Sequence, residues 1–537
     1  MPSFPVSCAV TLAMCVIALS EAGRSTAGGV DSDRAAEISD NQIFVWPLPQ
    51  KTSASGPAVP LSPAFKIRTT STSKRLQQAI ERYTKWIVTF PAQRDAFAPE
   101  EPAAVASLQI TVDSGNENLT SSTSYAYNLS VSIASSIAEL QSDTVYGAMY
   151  GLETFSQLVV NGSLVASTIA ISDAPVYGHR GLMIDTGRRF FPPALVMSLL
   201  DSMSYMKMNV LHFHLSDLCR FSVESVLYPQ LTATSNGFYK QEEIVELVAY
   251  AKDRGIRVIP EFDVPGHSHG FVPLAASGDV VFCSDTRKQL CNDEKNRTIS
   301  TLKHLFTEMA TLFEDELFHI GCDETGTTAT CPLSGTTALE QELLNFLPTI
   351  GRTAVGWEEV LFGSKAATPK TIIDTWSRHD ASETTPQGFF TIESSGSHFY
   401  VNHATLPYTN LWTDISAKVT ESNLHLLLGG EFSMWSDNYC YITQCYINSS
   451  KPVASWMYDR RQDSAFAASV TAMIWPRGIV AAGSFWNYQS AMDPKSVQFT
   501  NAYAAANQHL LSRDIASCPS KCTCNELTQC DKPYPHS

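Results

Sequence analysis

Leu317-Phe-His-Ile-Gly-Cys-Asp-Glu324 is the stretch on which the fold turns. An apolar run of strand length ends in two adjacent carboxylates, and burying even one of them is costly unless something uses it. The pattern recurs on both sides. Gly181-Leu-Met-Ile-Asp185, Val210-Leu-His-Phe-His-Leu215 and Arg257-Val-Ile-Pro-Glu-Phe262 precede it. Ala354-Val-Gly-Trp357, Thr371-Ile-Ile-Asp-Thr-Trp376, a run near Phe389–Ile392 and Leu426-Leu-Leu-Gly-Gly-Glu431 follow it. Amphipathic segments lie between these runs, and in one of them Ile244, Leu247, Val248 and Ala251 form an i, i+3, i+4, i+7 stripe. Eight alternations of strand and helix predict a (β/α)8 barrel over residues 176–516. Such barrels carry their chemistry at the C-terminal ends of the strands. Asp185, Asp217, Asp263, Asp323-Glu324, Trp357-Glu358, Trp376 and Trp435 each follow an apolar run, as that arrangement requires.

Residues 41–175 read as a smaller α/β domain in front of the barrel. Ala106-Ser-Leu-Gln-Ile-Thr-Val112 alternates as a strand, and Asp143 to Leu158 has apolar residues at helical spacing. Residues 1–22 read as a secretory signal peptide, too short to span a membrane, and residues 23–40 as a flexible mature N-terminus. Thirteen cysteines are present, of which Cys8 and Cys15 would leave with the signal peptide. The odd remainder predicts at least one free or intermolecular thiol. Cys440 and Cys445 bracket a short loop, while Cys518, Cys522, Cys524 and Cys530 crowd the tail, residues 517–537. A disulfide clasp and a zinc site are both open readings of that tail, and its spacing does not resolve into two CxxC pairs. Sequons at Asn118, Asn128, Asn161, Asn296 and Asn448 suit a secretory route, ending outside the cell or in a lysosome-like compartment.

A net charge of −16 and a pI near 5.3 argue against nucleic acid as a partner. His212-x-His214, His267, His319 and Asp374 could bind zinc, since an HxH on a barrel strand is also how metal-dependent hydrolases hold it, but both rings must then point into the barrel, which counts against it. That reading leaves the carboxylate pair and the tryptophans at strand ends unused. The indole faces of Trp357, Trp376 and Trp435, together with Tyr400, suit a sugar and a small apolar substituent.

Several ordered motifs now coincide. They are Tyr146-Gly-Ala-Met-Tyr-Gly-Leu-Glu-Thr-Phe-Ser-Gln157, Gly178-His-Arg-Gly-Leu-Met-Ile-Asp-Thr186, His212-Phe-His-Leu-Ser-Asp217 and Glu261-Phe-Asp-Val-Pro-Gly-His267. His319-Ile-Gly-Cys-Asp-Glu324, Gly356-Trp-Glu-Glu-Val360, Gly429-Gly-Glu-Phe-Ser-Met-Trp435 and Trp475-Pro-Arg477 complete the set. On these motifs the chain resembles the β-N-acetylhexosaminidases of glycoside hydrolase family 20. The resemblance implies an α/β domain followed by a (β/α)8 barrel, and removal of terminal β-linked N-acetylglucosamine or N-acetylgalactosamine from glycans. It implies retention without an enzyme nucleophile, an exception to the usual two-carboxylate scheme. Glu324 would be the acid and then the base, Asp323 would orient the acetamide, and Tyr400 would hold its oxygen. Trp357, Trp376 and Trp435 would enclose the acetyl group and the sugar face. Arg180, Asp217 and Asp437 would bind sugar hydroxyls, with His267 and Glu261 supporting the acid pair. It implies no cofactor, no metal and no membrane span. Relatives are often dimers, but one sequence identifies no interface. The chain departs from its relatives at Cys322, where many have a second glycine, at Leu218, and at Asp437, where Glu is frequent. A glycan-binding protein without turnover is the rival on the same scaffold, although it would need none of Asp323, Glu324 and Tyr400 together.

Overall fold

The computed structural model describes residues 43–88, 104–233, 237–283, 289–403, 406–437 and 464–515. The leader, Cys440, Cys445, Asn448 and the cysteine-rich tail lie outside them. The first part is an eight-stranded sheet. Its strands are β1 (Lys51–Ser55), β2 (Val59–Thr69), β3 (Val105–Ser114), β4 (Tyr127–Ser132), β5 (Ile137–Thr144), β6 (Val159–Val160), β7 (Ser163–Leu164) and β8 (Thr168–Asp173). They lie in the order β1-β8-β4-β5-β3-β2-β7-β6. β4, β5 and β8 alternate buried and exposed residues, so one face is core and the other is open. The core face carries the helices Lys74–Ile87 and Val145–Gln157. Each helix starts at a hydroxyl cap: Ser73 Oγ accepts from Leu76 N at 3.2 Å and Thr144 Oγ1 from Gly147 N at 3.1 Å. Glycine lets the second helix sit close, because a Cβ on Gly151 would lie 2.2 Å from Leu140 Cδ1.

The second part is a closed parallel barrel, and all eight sequence-predicted runs are its strands. They are β9 (His179–Asp185), β10 (Val210–His214), β11 (Arg257–Glu261), β14 (Leu317–His319), β15 (Thr353–Trp357), β16 (Ile372–Thr375), β17 (Thr391–Glu393) and β18 (Leu427–Met434). A small hairpin of β12 (Val281–Phe282) and β13 (Leu290–Cys291) interrupts the series. β18 closes on β9 with Gly430 opposite Arg180 and Met434 opposite Ile184. Ile244, Leu247, Val248 and Ala251 are the buried face of the helix Gln241–Lys252, as their spacing predicts.

Buried polar contacts tie the sheet to the barrel and its C-terminal helices. Glu153, in the sheet-covering helix, takes Arg513 Nη1 at 2.6 Å and His509 Nε2 at 2.7 Å. Asp173, at the end of β8, takes Lys207 Nζ at 3.1 Å and Trp486 Nε1 at 2.9 Å. Cys283 and Cys331 form a disulfide, which pins the hairpin to the segment after β14, whereas Cys291 and Cys322 are free thiols. Among the described residues no single helix is long and apolar enough to cross a membrane.

Candidate active site

At the C-terminal mouth of the barrel lies a cleft of about 150 Å³. Of the sequence-predicted residues, Asp323, Glu324, Tyr400, Trp376, Trp435, Asp437 and His267 line it; Arg188, Asn402 and His403 join them. The segment after β14 turns sharply to present the acid pair. Gly321, Cys322 and Glu324 have φ of 71°, 77° and 48°, all left-handed. The turn separates the environments of the two acids: Asp323 is 7% exposed, while Glu324 opens onto the cleft. One oxygen of Asp323, Oδ1, is buried with no hydrogen-bond partner among the described residues.

The aromatic wall is continuous. Trp376 and Tyr400 stack with centroids 6.3 Å apart at 4°, and Tyr400 and Trp435 are 6.0 Å apart. Trp357 lies beneath, 6.1 Å from Trp435, with its indole nitrogen donating to Glu261 Oε1 at 2.9 Å. Glu359 accepts from Trp376 Nε1 at 3.1 Å, and burial followed by the nearby Asp323 carboxylate pushes its pKa up to about 7. Burial also raises the Tyr400 phenol well above its ordinary value, so it stays a neutral donor.

Below the cleft a chain of acids and histidines runs down the barrel axis. His267 Nε2 lies 3.3 Å from Glu324 Oε2 and 3.5 Å from Asp323 Oδ2, and its Nδ1 is 3.3 Å from Asp217. His214 spans Asp217 at 2.8 Å and Glu261 at 2.5 Å. His212 spans Glu261 at 2.9 Å and Glu431 at 2.7 Å, and Glu431 reaches His179 at 3.1 Å. Burial alone would lower the histidine pKa values, but the flanking carboxylates overcome it. His212 and His267 are held well above the usual value, and His214 at about 10. His179 and His319, with burial dominant, are lowered. Asp374 and Asp263 are pushed well up by burial and by neighbouring acids, Glu431 and Asp323 respectively.

The zinc alternative has its donors in place, since His212, Glu261 and His319 offer atoms within 4.8 Å of one another. An imidazole with a carboxylate at each nitrogen is a double donor, however, and has no lone pair left for a metal. His214 is in that state through Asp217 and Glu261. His212, among the described residues, is hydrogen-bonded only to Glu431, and its Nε2 faces Glu261 at 2.9 Å without a hydrogen bond.

Two expected sugar contacts are corrected by the structure. Arg180 is the second residue of β9, at the end of the barrel opposite the cleft, and it is 0% exposed. Its guanidinium donates to Tyr177 O at 2.6 Å and Lys207 O at 3.0 Å, and lies over the rings of Tyr125 and Trp486. Asp217 is also fully buried, held by His214 and by Arg188 Nη2 at 3.0 Å, so it supports the cleft from behind. The arginine that reaches the cleft is Arg188, three residues past the end of β9. It bridges Asp185 at 2.9 Å, Asp217 and Asp437 at 3.2 Å. Strand polarity was the signal that distinguishes the two: Arg180 opens an apolar run and Arg188 follows one.

Comparison with known proteins agrees with this geometry. Residues 177–489 match the glycosyl hydrolase family 20 catalytic domain, and residues 45–158 match the domain described as beta-acetyl hexosaminidase like. The chain is 30% identical to beta-hexosaminidase subunit A1 of Dictyostelium discoideum, over 85% of this chain and 86% of that one. The chain belongs to glycosyl hydrolase family 20. It is also 26% identical to the human beta-hexosaminidase subunit beta, covering 88% of each chain. The family 20 fold extends to solved structures. A chitobiase from Flavobacterium johnsoniae superposes with a TM-score of 0.70 at 23% identity, over 89% of this chain and 74% of that one. A beta-N-acetylhexosaminidase from Streptomyces coelicolor gives 0.69 at 18% identity, over 89% and 97%.

Proposed function

We propose that the mouth cleft holds a terminal N-acetylhexosamine with its acetamide against Asp323 and its scissile oxygen at Glu324. The enzyme is an exo-acting glycoside hydrolase of the β-N-acetylhexosaminidase class. It cleaves with retention, the substrate's acetamido oxygen attacking the anomeric carbon to give an oxazolinium intermediate. The observation that carries the residue assignment is the orphaned Oδ1 of Asp323. A buried carboxylate oxygen without a donor is costly, and an acetamide N–H is a matching donor. Asp323 then offsets the positive charge that develops on the acetamide. Tyr400, a neutral phenol, donates to the acetamido oxygen and sets its approach. Trp376 and Trp435 flank the acetyl methyl, with Trp357 as the floor beneath them.

Glu324 has to be protonated to act as an acid, yet its contact with His267 holds its pKa below the usual range in the open cleft. The proton therefore resides on His267. When sugar displaces water, a separated charge pair becomes costlier, which favours transfer from His267 Nε2 to Glu324. Glu324 passes the proton to the leaving oxygen and, as a carboxylate, activates water in the second half. Arg188 and Asp437 supply donor and acceptor for ring hydroxyls.

The route we propose is secretory, to a lysosome-like or extracellular compartment. The Cys283–Cys331 bond and the exposed sequon asparagines Asn118, Asn128, Asn161 and Asn296 support it. The test of function is release of a chromophore from its N-acetyl-β-glucosaminide. Asp323→Asn is expected to lose about 10²–10³-fold in kcat, the scale of one preorganised charge-stabilising group. A wild-type rate in Asp323→Asn would overturn the assignment. Binding without any release by the wild type would favour the glycan-binding alternative.

A further inference from the structure

A second concavity, at about 430 Å³ larger than the catalytic cleft, lies on the open face of the N-terminal sheet. Strand register builds it. Asn128 of β4 stands opposite Gln141 of β5 on one side and Ser172 of β8 on the other, and Ser172 stands opposite Lys51 of β1. One pleat along, Ser130 stands opposite Glu139 and Ala170. Residues two apart on a strand share a face, so the long side chains of Gln141, Glu139 and Lys51 wall a strip of small ones along β4 and β8. Asn128 and Ser130 are exposed on this strip, while Tyr127, Leu129 and Val131 point into the core.

Asn128-Leu-Ser130 is a glycosylation sequon, and the extended strand turns its amide and its hydroxyl to the same open side. We infer that Asn128 carries an N-linked glycan whose first two sugars lie along this trough. The trough offers hydroxyl, amide, carboxylate and ammonium groups to sugar hydroxyls and N-acetyl groups, and Ala170 gives an apolar spot in its floor. In the transfer, the Asn128 amide nitrogen bonds to the anomeric carbon of an oligosaccharide carried on a lipid diphosphate. The carbon–oxygen bond to the diphosphate breaks, the diphosphate leaves with the electron pair, and the amide gives up one proton. The inference rests on the secretory route proposed above.

The other sequons are built differently. Asn296 accepts from Asn292 Nδ2 at 2.6 Å, and the hydroxyl of its Thr298 is buried and accepts from Val281 N at 3.0 Å. Asn161 sits in the turn between β6 and β7, and Asn118 in the stretch between β3 and β4, and neither lines this trough.

The test is glycopeptide mass spectrometry on the full chain secreted from a eukaryotic host. Asn128 is expected to be occupied, and Asn128→Gln and Ser130→Ala are each expected to lose that one glycan with kcat/KM unchanged. On the native protein, an endoglycosidase that cuts within the two-sugar core is expected to release the Asn128 glycan about tenfold more slowly than those at Asn118 or Asn161. Denaturation should abolish the difference. A bare Asn128 beside an occupied Asn118 or Asn161 overturns the inference and leaves the secretory route standing. No occupied sequon at all overturns the route and the inference with it. Equal release rates from the native protein overturn the placement of the sugars in the trough.

Discussion

Arg180 and Arg188 sit at the two ends of one barrel strand, and both are buried cations. Arg180, at the floor, donates to carbonyls and lies among aromatic rings where the N-terminal sheet meets the barrel. Arg188, at the mouth, pairs with Asp185, Asp217 and Asp437, and the carboxylates hold its pKa well above the ordinary value in spite of burial. Nothing in the chemistry of the residue separates them. What separates them is the direction of the strand, which puts one where two domains must be joined and the other where a substrate can arrive.

Variants at the two ends should therefore fail differently. The largest effect belongs to the mouth: Glu324→Gln is expected to lower kcat by about 10³-fold, since it removes the proton donor. Glu324 opens onto the cleft, so the thermal midpoint should hardly move. Arg188→Met is expected to cost about 10²-fold in kcat/KM, because the clamp on Asp217 and Asp437 no longer orients the site. Arg180→Met should do the reverse. It leaves buried carbonyls without donors, at about 1–3 kcal/mol each, and lowers stability while each folded molecule keeps its activity. Chromogenic kinetics set beside calorimetry would decide, and a large kcat/KM loss in folded Arg180→Met would break the comparison.

The same contrast shows what was legible in the amino-acid order. All eight barrel strands could be read because strands of a parallel barrel are buried on both faces and so appear as unbroken apolar runs. The acid pair and the tryptophans could be read because they close such runs, whereas Tyr400, which follows the short helix Gly396–Phe399 after β17, is placed by the family resemblance. The roles of Asp217 and Arg180 were harder to read. Strand polarity places Arg180 at the floor, but Arg188 and Lys207, which hold Asp217 and Arg180, lie 29 and 27 residues away along the chain. Arg188 reaches Asp217 from the end of β9, and the Lys207 carbonyl, from the segment before β10, accepts from Arg180, through contacts that form only when neighbouring strands pair. Glu359 is a similar case: its tie to Trp376 joins the segments that follow β15 and β16.

Between mouth and floor, the histidine–carboxylate chain predicts a pH signature of intermediate size. His212, His214 and His267 have folded pKa values above that of free imidazole. Their ion pairs contribute fully below about pH 6.5 and are lost as pH rises through the folded values, about 10 for His214. Glu261 and Glu431 are depressed, because the histidine charges outweigh burial. Their share is present above about pH 4.3 and is lost as pH falls, toward about 2 for Glu431. The thermal midpoint should peak between those limits and decline on both sides, and Glu431→Gln should flatten both limbs. A midpoint constant from pH 6 to 9 would show that the chain is not charged as described.

The smallest effect concerns the turn that carries the acid pair. Gly321 has φ of 71°, and a Cβ there would lie 1.8 Å from Asp263 Oδ1, so only glycine fits. Cys322 has φ of 77° and yet carries a side chain. Its backbone N–H donates to Asp263 Oδ1 at 3.2 Å, and its thiol is buried in the main core cluster with a pKa raised well above normal by burial. Two opposed terms act at this position. A left-handed residue with a Cβ costs about 1–2 kcal/mol, and a small buried side chain returns an amount of the same order. Cys322→Gly is therefore expected to change stability by no more than about 1 kcal/mol and to leave kcat/KM within about threefold, because the backbone contact to Asp263 needs no side chain. A tenfold loss of activity with an unchanged thermal midpoint would instead mean that the thiol itself holds Asp323 and Glu324 in place.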